Sequence, residues 1–151
     1  MIEVEVSEKP RSLKEQLVGT WTLVSWEQKK GDGTKVRRFG ENPVGIASFD
    51  AGGRYIITAM RSDRAKYASD APWQGTAEEN KATAAGTMIY FGTYSVSEAD
   101  SSIAIHVVGS SFPNWNGGDQ KRGVAIAGDQ LTLTVCPPTG EIVDVVWKRA
   151  N

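Results

Sequence analysis

The chain has 151 residues, of which 40% are hydrophobic and 23% charged, and its formal net charge is −1. This is the size and composition of one globular domain, too apolar for a disordered chain and without the positive charge of a nucleic-acid-binding protein. The single cysteine, Cys136, excludes an intrachain disulfide, and the sequence has no run of about 20 apolar residues that could span a membrane. Since the N-terminus is charged and lacks the apolar core of a signal peptide, we expect a cytoplasmic protein with neither nucleic acid nor membrane as a partner.

The first predicted elements are a tail and one turn of helix. Residues 1–11 are charged and contain Pro10, which predicts a flexible tail before a domain spanning residues 12–151. Ser12 and Glu15 have the spacing of a capping box, so a short helix is expected at residues 12–17.

From Gly19 onward the apolar residues recur with a period of two, which is typical of β-strands. Most of these segments are joined by short turns rich in glycine, aspartate or proline. Eight strands are predicted, at residues 20–27, 44–50, 54–60, 88–96, 101–110, 121–127, 130–135 and 141–149. An eight-stranded meander closes naturally into a barrel, which removes the sheet edges and leaves room for one small ligand. The predicted fold is therefore all-β, an eight-stranded antiparallel up-and-down β-barrel.

Residues 61–87 interrupt this pattern. Within them, residues 76–85 have the composition of a helix, with Thr76 as N-cap, Glu79 at the capping-box position and Gly86 as C-cap. Connections of this length are often lids or binding loops.

A family resemblance is carried by an ordered set of motifs. The main one is Gly19-Thr20-Trp21 directly after the helical turn, together with an arginine, Arg149, in the last strand. Further matching pieces are Trp26, residues 50–54, residues 90–94, His106, residues 113–117 with Arg122, and residues 131–133. The chain thereby resembles the calycin superfamily and, more narrowly, the bacterial and fungal lipocalin-like domain family. The resemblance implies a β-barrel in which Arg149 lies across the indole of Trp21 at the closed end, so that Trp21 is structural.

His106 is the only histidine, and its neighbours on the same strand face, Ala104 and Val108, are small. If this face points inward, a buried imidazole could exchange a proton with a ligand near neutral pH. The alternatives are a structural histidine or a lone haem ligand. One histidine and one cysteine give no recognisable metal-ligand spacing, so the sequence predicts no metal and no cofactor.

The first strand has two faces with different implications. Trp21, Leu23, Ser25 and Glu27 share one face, which predicts an inward Glu27 whose buried carboxylate could act as an acid or base. Trp26 then points outward, where it would offer a self-association surface and allow a homodimer.

Several other side chains are candidates for a binding cavity. Aromatic walls with a few polar tips suit a small ligand, and arginines suit its anionic group. The candidate aromatics are Tyr90, Tyr94 and Trp115, and the candidate anchors are Arg54, Arg61 and Arg122. Cys136, beside Pro137, is expected to be a small packed residue.

These residues support two functions of different kinds. In the first, the barrel binds a small apolar or aromatic molecule with a polar or anionic end, through the residues His106, Tyr90, Tyr94, Trp115, Arg122 and Arg54. In the second, it is a cofactor-free lyase, isomerase or cyclase, in which His106 or Glu27 transfers a proton while Arg122 and Tyr94 stabilise an oxyanion. A packed barrel acting only through protein contacts is a third alternative, and the sequence leaves open whether the protein is an enzyme.

Overall fold

A computed structural model describes residues 11–136 and 140–150 of the chain. The predicted tail lies mostly outside these residues. The bounds of the helices are α1 Leu13–Leu17 and α2 Ala77–Ala85, with a 3-10 turn at Pro113–Trp115. The strands are β1 Gly19–Lys29, β2 Lys35–Arg37, β3 Ile46–Phe49, β4 Arg54–Met60, β5 Thr87–Ser97, β6 Ser102–Ser110, β7 Asp119–Ala127, β8 Gln130–Val135 and β9 Ile142–Arg149.

The strands form a closed antiparallel barrel, as predicted. From β3 to β9 each strand pairs with the next in sequence, and β9 returns to pair with β1. The short strand β2 was not among the eight predicted. Along one edge of β1, the beginning of the strand pairs with β3 and its end pairs with β2. The barrel proper therefore has eight strands, with β2 continuing the position of β3.

Both helices begin with the predicted caps. The Ser12 hydroxyl accepts a hydrogen bond from the Glu15 amide at 3.1 Å, and Thr76 and Glu79 form a complete capping box at the start of α2. None of the helices in the described part of the chain is long and apolar enough to cross a bilayer.

The closed end of the barrel is built around Trp21. Its indole Nε1 donates to the carbonyl of Leu17 at 2.9 Å, and the guanidinium of Arg149 lies 4.2 Å from the ring centroid. Arg149 also donates to the carbonyl of Gln16 at 2.9 Å, so it joins the last strand to the last turn of α1. Gly19 is required here because its φ of +137° is strained for any residue with a Cβ. The predicted partnership of Trp21 and Arg149 is confirmed.

A β-bulge in β1 changes the phase of the strand. Leu23 pairs with Trp147, but the next pair is Ser25 with Val146, so Val24 is an extra residue. Beyond the bulge the sides are exchanged: Trp26 faces the barrel interior and Glu27 faces outward. The predicted inward Glu27 and outward Trp26 are both wrong, because strict alternation does not hold across an inserted residue.

Strand β6 turns Ile103, Ile105 and Val107 into the core. The alternate residues, including His106, therefore lie on the outer face of the barrel. A second bulge, at Val108, separates the pairs Phe91–Gly109 and Gly92–Val107. The backbones approach so closely here that a Cβ on Gly92 would lie 1.8 Å from the carbonyl oxygen of His106.

Candidate functional site

A cavity of about 570 Å³ occupies the half of the barrel opposite α1. Its side walls come from inward-facing residues of β1, β4, β5, β7, β8 and β9, and its rim from the loops around Phe39, Trp115 and Cys136. Below it, toward Trp21, the barrel is filled by buried side chains such as Phe49, Ile105 and Leu131. Such a volume is in the range of small-molecule sites.

The wall is mostly apolar. Its aromatic and aliphatic members are Trp26, Phe39, Ile57, Met88, Tyr90, Trp115, Leu133, Val135, Val143, Val145 and Trp147. Tyr90 and Trp115 meet edge to face with ring centroids 5.3 Å apart, and Trp26 meets Phe39 in the same way at 5.0 Å. These contacts fix the orientation of the rings, because edge-to-face packing places the positive ring edge on the negative face.

The charges along the wall are of one sign. Arg38, Lys121 and Arg122 line the cavity, and no aspartate or glutamate is among the lining residues of the described chain. Lys121 and Arg38 are exposed, and the Lys121 ammonium lies 3.8 Å from a carboxylate oxygen of Asp100. Arg122 differs from both because only 5% of it is exposed.

Arg122 is held by neutral acceptors. Its Nη2 donates to the side-chain oxygen of Gln120, and its Nη1 donates to the carbonyl of Lys121 at 3.2 Å. None of the ion pairs among residues 11–136 and 140–150 involves Arg122. A guanidinium has five donor hydrogens, so donors remain after these two bonds. A buried charge with only neutral partners is costly, which makes Arg122 a position for an anionic ligand group.

Two further buried polar groups have no hydrogen-bond partner among the described residues, the Tyr55 hydroxyl and the Trp147 Nε1. Tyr55 packs against Tyr90 with ring centroids 5.9 Å apart. Burial raises the pKa of Tyr55 far above its ordinary value, an effect that the nearby Tyr90 increases and the charge of Arg122 partly offsets. The phenol is therefore neutral at physiological pH.

The structure brings together three of the predicted binding residues. Tyr90, Trp115 and Arg122 all line the cavity, and Arg122 is buried in its wall. Cys136 is exposed on the rim rather than packed, because it lies at the end of β8 where the barrel opens.

Tyr94 is inward and buried but lies outside the cavity wall, since its hydroxyl donates to the carbonyl of Asp50 at 2.6 Å. Burial raises its pKa, as does the charge of Asp50. Arg54 is exposed beside the 50–53 turn, and Arg61 pairs with Asp63 at 2.9 Å in the loop after β4. None of the three lines the cavity.

The predicted proton-transfer residues are on the outside of the barrel. The side chain of His106 is 47% exposed and its Nδ1 lies 2.8 Å from a carboxylate oxygen of Asp119 on β7. Glu27 lies opposite Arg37 on β2, with Lys35 at 3.7 Å and Arg37 at 3.9 Å. The barrel wall thus separates both from Arg122, and the combination of His106, Glu27, Arg122 and Tyr94 expected for an enzyme is not assembled. Among the described residues, no group of three or more histidine, cysteine, aspartate or glutamate side chains is placed to hold a metal ion.

Trp26, Gln120 and Trp147 are cavity residues that the sequence reasoning missed. Trp147 precedes Arg149 by two residues, so the strand alternation that placed Arg149 over Trp21 also places Trp147 inward. Gln120 likewise precedes Arg122 by two residues in β7, so strand alternation places both on the inward face. For Trp26 there was no such signal, because the bulge at Val24 is set by the pairing with β9.

A family model described as "Lipocalin-like domain" matches residues 18–149. No curated protein matches the chain. Among solved structures, it is similar to a redesigned β-barrel (12% identity, TM-score 0.48, covering 95% of this chain and 100% of that one). It is also similar to a de novo designed fluorescence-activating β-barrel (12% identity, TM-score 0.46, covering 93% and 100%).

Proposed function

The chain belongs to the lipocalin-like domain family, and on that premise we propose that its barrel binds a small apolar or aromatic molecule through an anionic end that pairs with Arg122. The observation that carries the proposal is the buried guanidinium of Arg122, which faces an apolar cavity and has only neutral partners. A carboxylate is the best complement to a guanidinium because two parallel charge-assisted hydrogen bonds can form.

The rest of the cavity wall supports the same ligand class. Aromatic and aliphatic side chains offer a large apolar contact area, and the exposed Arg38 adds positive charge near the entrance. Positive charge at an opening attracts anions and speeds their association. Binding without chemistry is favoured over catalysis because His106 and Glu27, the predicted proton-transfer groups, lie outside the cavity.

The test compares two ligands of nearly equal shape, naphthoate and its neutral amide, by isothermal titration calorimetry at pH 7.5. The decisive variant is Gln120→Glu, which keeps Arg122 in place and supplies it with a carboxylate from within the chain. We expect the wild type to prefer naphthoate by about tenfold or more, since a charge-assisted pair is worth about 1.5–3 kcal/mol. In Gln120→Glu the preference should disappear through loss of naphthoate affinity, with the affinity for the amide unchanged.

Gln120→Leu is the matched control, because it removes the neutral partner of Arg122 without adding a negative charge and should retain the preference. The proposal is overturned if the wild type binds neither compound, or if Gln120→Glu retains the full preference for the carboxylate. Native mass spectrometry of the protein purified from its own host would identify a retained ligand, and an acid would fit the proposal whereas a cation would contradict it.

A further inference from the structure

We propose that two copies of this chain associate through the outside of the barrel, along strands β3 to β6, and form a symmetric dimer. The surface consists of exposed apolar side chains, which we call the outer apolar face: Val24, Val44, Ile46, Ile56, Phe91 and Val108. The dimer is independent of the cavity and of the proposed ligand. It also replaces the association surface that was expected at Trp26, a residue that lines the cavity instead.

The centre of the outer apolar face lies on β4, β5 and β6. Ile56 is directly opposite Phe91 in the pairing of β4 with β5. Phe91 is in turn opposite Gly109, and Val108, the bulged residue of β6, comes just before Gly109. These three apolar side chains are therefore neighbours across three adjacent strands.

The face continues across β3 to the beginning of β1. Val44 bridges to Met60 at the end of β4, and Ile46 begins β3. Val24 adjoins Val44, because the amide of the preceding residue in β1 donates to the carbonyl of Gly45 at 3.0 Å. The face thus holds six of the nine large apolar side chains that are exposed in the described part of the chain. Single exposed apolar residues are ordinary, whereas a contiguous group marks an interaction surface.

Phe91 is a preorganised anchor for a partner. It is 45% exposed, and its ring lies against Gly109, where an added Cβ would come within 2.8 Å of the Phe91 Cε1 atom. The backbone of β6 thus supports the ring from one side and leaves the other side open. A ring that is already held in place loses little conformational freedom on binding, and aromatic anchors of this kind are enriched at the centres of protein interfaces.

The outer apolar face is almost free of charge. In β3 to β6, all of whose residues the structure describes, the ionisable residues other than buried tyrosines are Arg54 and His106. Nucleic acids and anionic lipid surfaces are bound through several cations, which this face does not offer. The centres of protein interfaces are depleted of charge in the same way, so the occupant is another protein surface.

The charges at the border favour a second copy as that protein. Cross-strand pairing aligns Arg54, Thr93, His106 and Asp119 in one row across β4 to β7. The row is positive at one end and negative at the other, because Asp119 is 83% exposed beyond His106. Two such rows that meet in opposite directions are complementary to each other.

A two-fold axis along β5 gives this arrangement, since it exchanges β4 of each copy with β6 of the other. The two Phe91 rings then meet at the axis, and Ile56 of each copy lies against Val108 of the other. Arg54 of each copy comes beside Asp119 of the other, where a charge-assisted hydrogen bond can form. One axis therefore satisfies both the apolar and the charged parts of the surface.

The available area sets the strength of the dimer. Strands about 4.8 Å apart, with outward residues about 6.8 Å apart along each strand, give a four-strand face of roughly 500 Å² per copy. The total of roughly 1,000 Å² is at the lower limit of specific interfaces. We therefore expect a dimer that forms at micromolar concentration and dissociates on dilution.

The experiment is sedimentation velocity of the full chain over a dilution series from millimolar to submicromolar. The wild type should approach twice the chain mass of 16.3 kDa as concentration rises. Val108→Lys should raise the dimer dissociation constant by about tenfold or more, because it places an unpaired ammonium in the interface. Ile46→Lys repeats the test if Val108→Lys does not fold. Ile142→Lys is the matched control and should leave dimerisation unchanged, because Ile142 is similarly exposed but lies on β9, outside the face.

A charge exchange tests the arrangement of the two copies. Arg54→Glu and Asp119→Arg should each weaken the dimer, and the double variant should recover it, since it restores opposite charges across the interface. The proposal is overturned if the wild type remains a monomer at every concentration, in which case a different partner covers the face. It is also overturned if Ile142→Lys dissociates the dimer while Val108→Lys does not, or if the double variant is as weak as the single ones.

Discussion

The guanidinium of Arg149 lies 4.2 Å from the centroid of the Trp21 ring and donates a hydrogen bond to the carbonyl of Gln16 at 2.9 Å. One side chain of the last strand thus holds both the first strand and the helix that precedes it. Because β1 and β9 are also the pair that closes the barrel, this contact stabilises the closure at the end opposite the cavity.

Arg149→Met should lower the free energy of unfolding by about 2 kcal/mol, since it removes a cation–π contact and a charged hydrogen bond. The measurement is urea unfolding followed by tryptophan fluorescence. Arg149→Lys is the informative control, because it keeps the charge but loses the planar stacking, and should recover only part of the loss. A full recovery by lysine would show that the charge alone matters.

Much of the closed end could be predicted from the sequence because its signals are local. The caps of α1 and α2 depend on residues three apart, and the Gly19-x-Trp21 motif lies directly after the first helix. The half of the barrel that contains the cavity was harder to predict, because the pairing of the strands decides which side chains face the cavity. Val24 is the clearest case, since one extra residue in β1 exchanged Trp26 and Glu27 between the two sides of the wall.

His106 shows a second limit of sequence reasoning. Its strand is apolar on both faces, with Ile103, Ile105 and Val107 on one and Ala104 and Val108 on the other, so alternation alone cannot say which face is buried. The larger side chains form the core. The histidine therefore lies on the outer face, where its Nδ1 contacts a carboxylate oxygen of Asp119 on β7.

Tyr55 and Tyr94 form a natural pair for testing buried hydroxyl groups. The Tyr55 hydroxyl has no partner among the described residues, whereas that of Tyr94 donates to the Asp50 carbonyl at 2.6 Å. Tyr55→Phe should therefore leave the free energy of unfolding unchanged or raise it by about 1 kcal/mol, and Tyr94→Phe should lower it by about 1 kcal/mol. Equal losses in both variants, measured by urea unfolding, would mean that Tyr55 has a hydrogen bond in solution.

The same two tyrosines predict a loss of stability at alkaline pH. Burial raises the pKa of both above the ordinary tyrosine value of 10.0. The unfolded chain therefore ionises first, and the stability present below about pH 10 decreases as pH rises beyond it. Thermal unfolding between pH 8 and about pH 11 should show this decline, and it should be shallower in Tyr55→Phe than in the wild type. A parallel decline in both would contradict the assignment to Tyr55.

Glu79 is expected to make the loop before α2 sensitive to acid. Backbone amides of Thr76 and Ala68 donate to its two carboxylate oxygens, each at 2.9 Å, and these bonds hold its pKa below the ordinary value of 4.5. A lowered pKa means that the contribution to stability is present above that ordinary value and is lost as pH falls through the lower folded one. Amide hydrogen exchange at Ala68 should accelerate in that window. The acceleration should be absent in Glu79→Gln and present in the neighbouring control Glu78→Gln; acceleration in Glu79→Gln as well would point to another group.

Trp26 and Glu27 are adjacent in sequence and on opposite sides of the barrel wall, so they test the bulge and the cavity together. Trp26→Leu should weaken naphthoate binding by about tenfold, because it removes much of an aromatic surface from the cavity wall. Glu27→Gln and His106→Gln should leave the affinity unchanged, since both side chains lie on the outer face with partners of their own. Isothermal titration calorimetry of the three variants provides the measurement, with urea unfolding to establish that each is folded. If Glu27→Gln weakened binding while Trp26→Leu did not, the alternation of β1 would be unbroken in solution and the carboxylate would belong to the cavity after all.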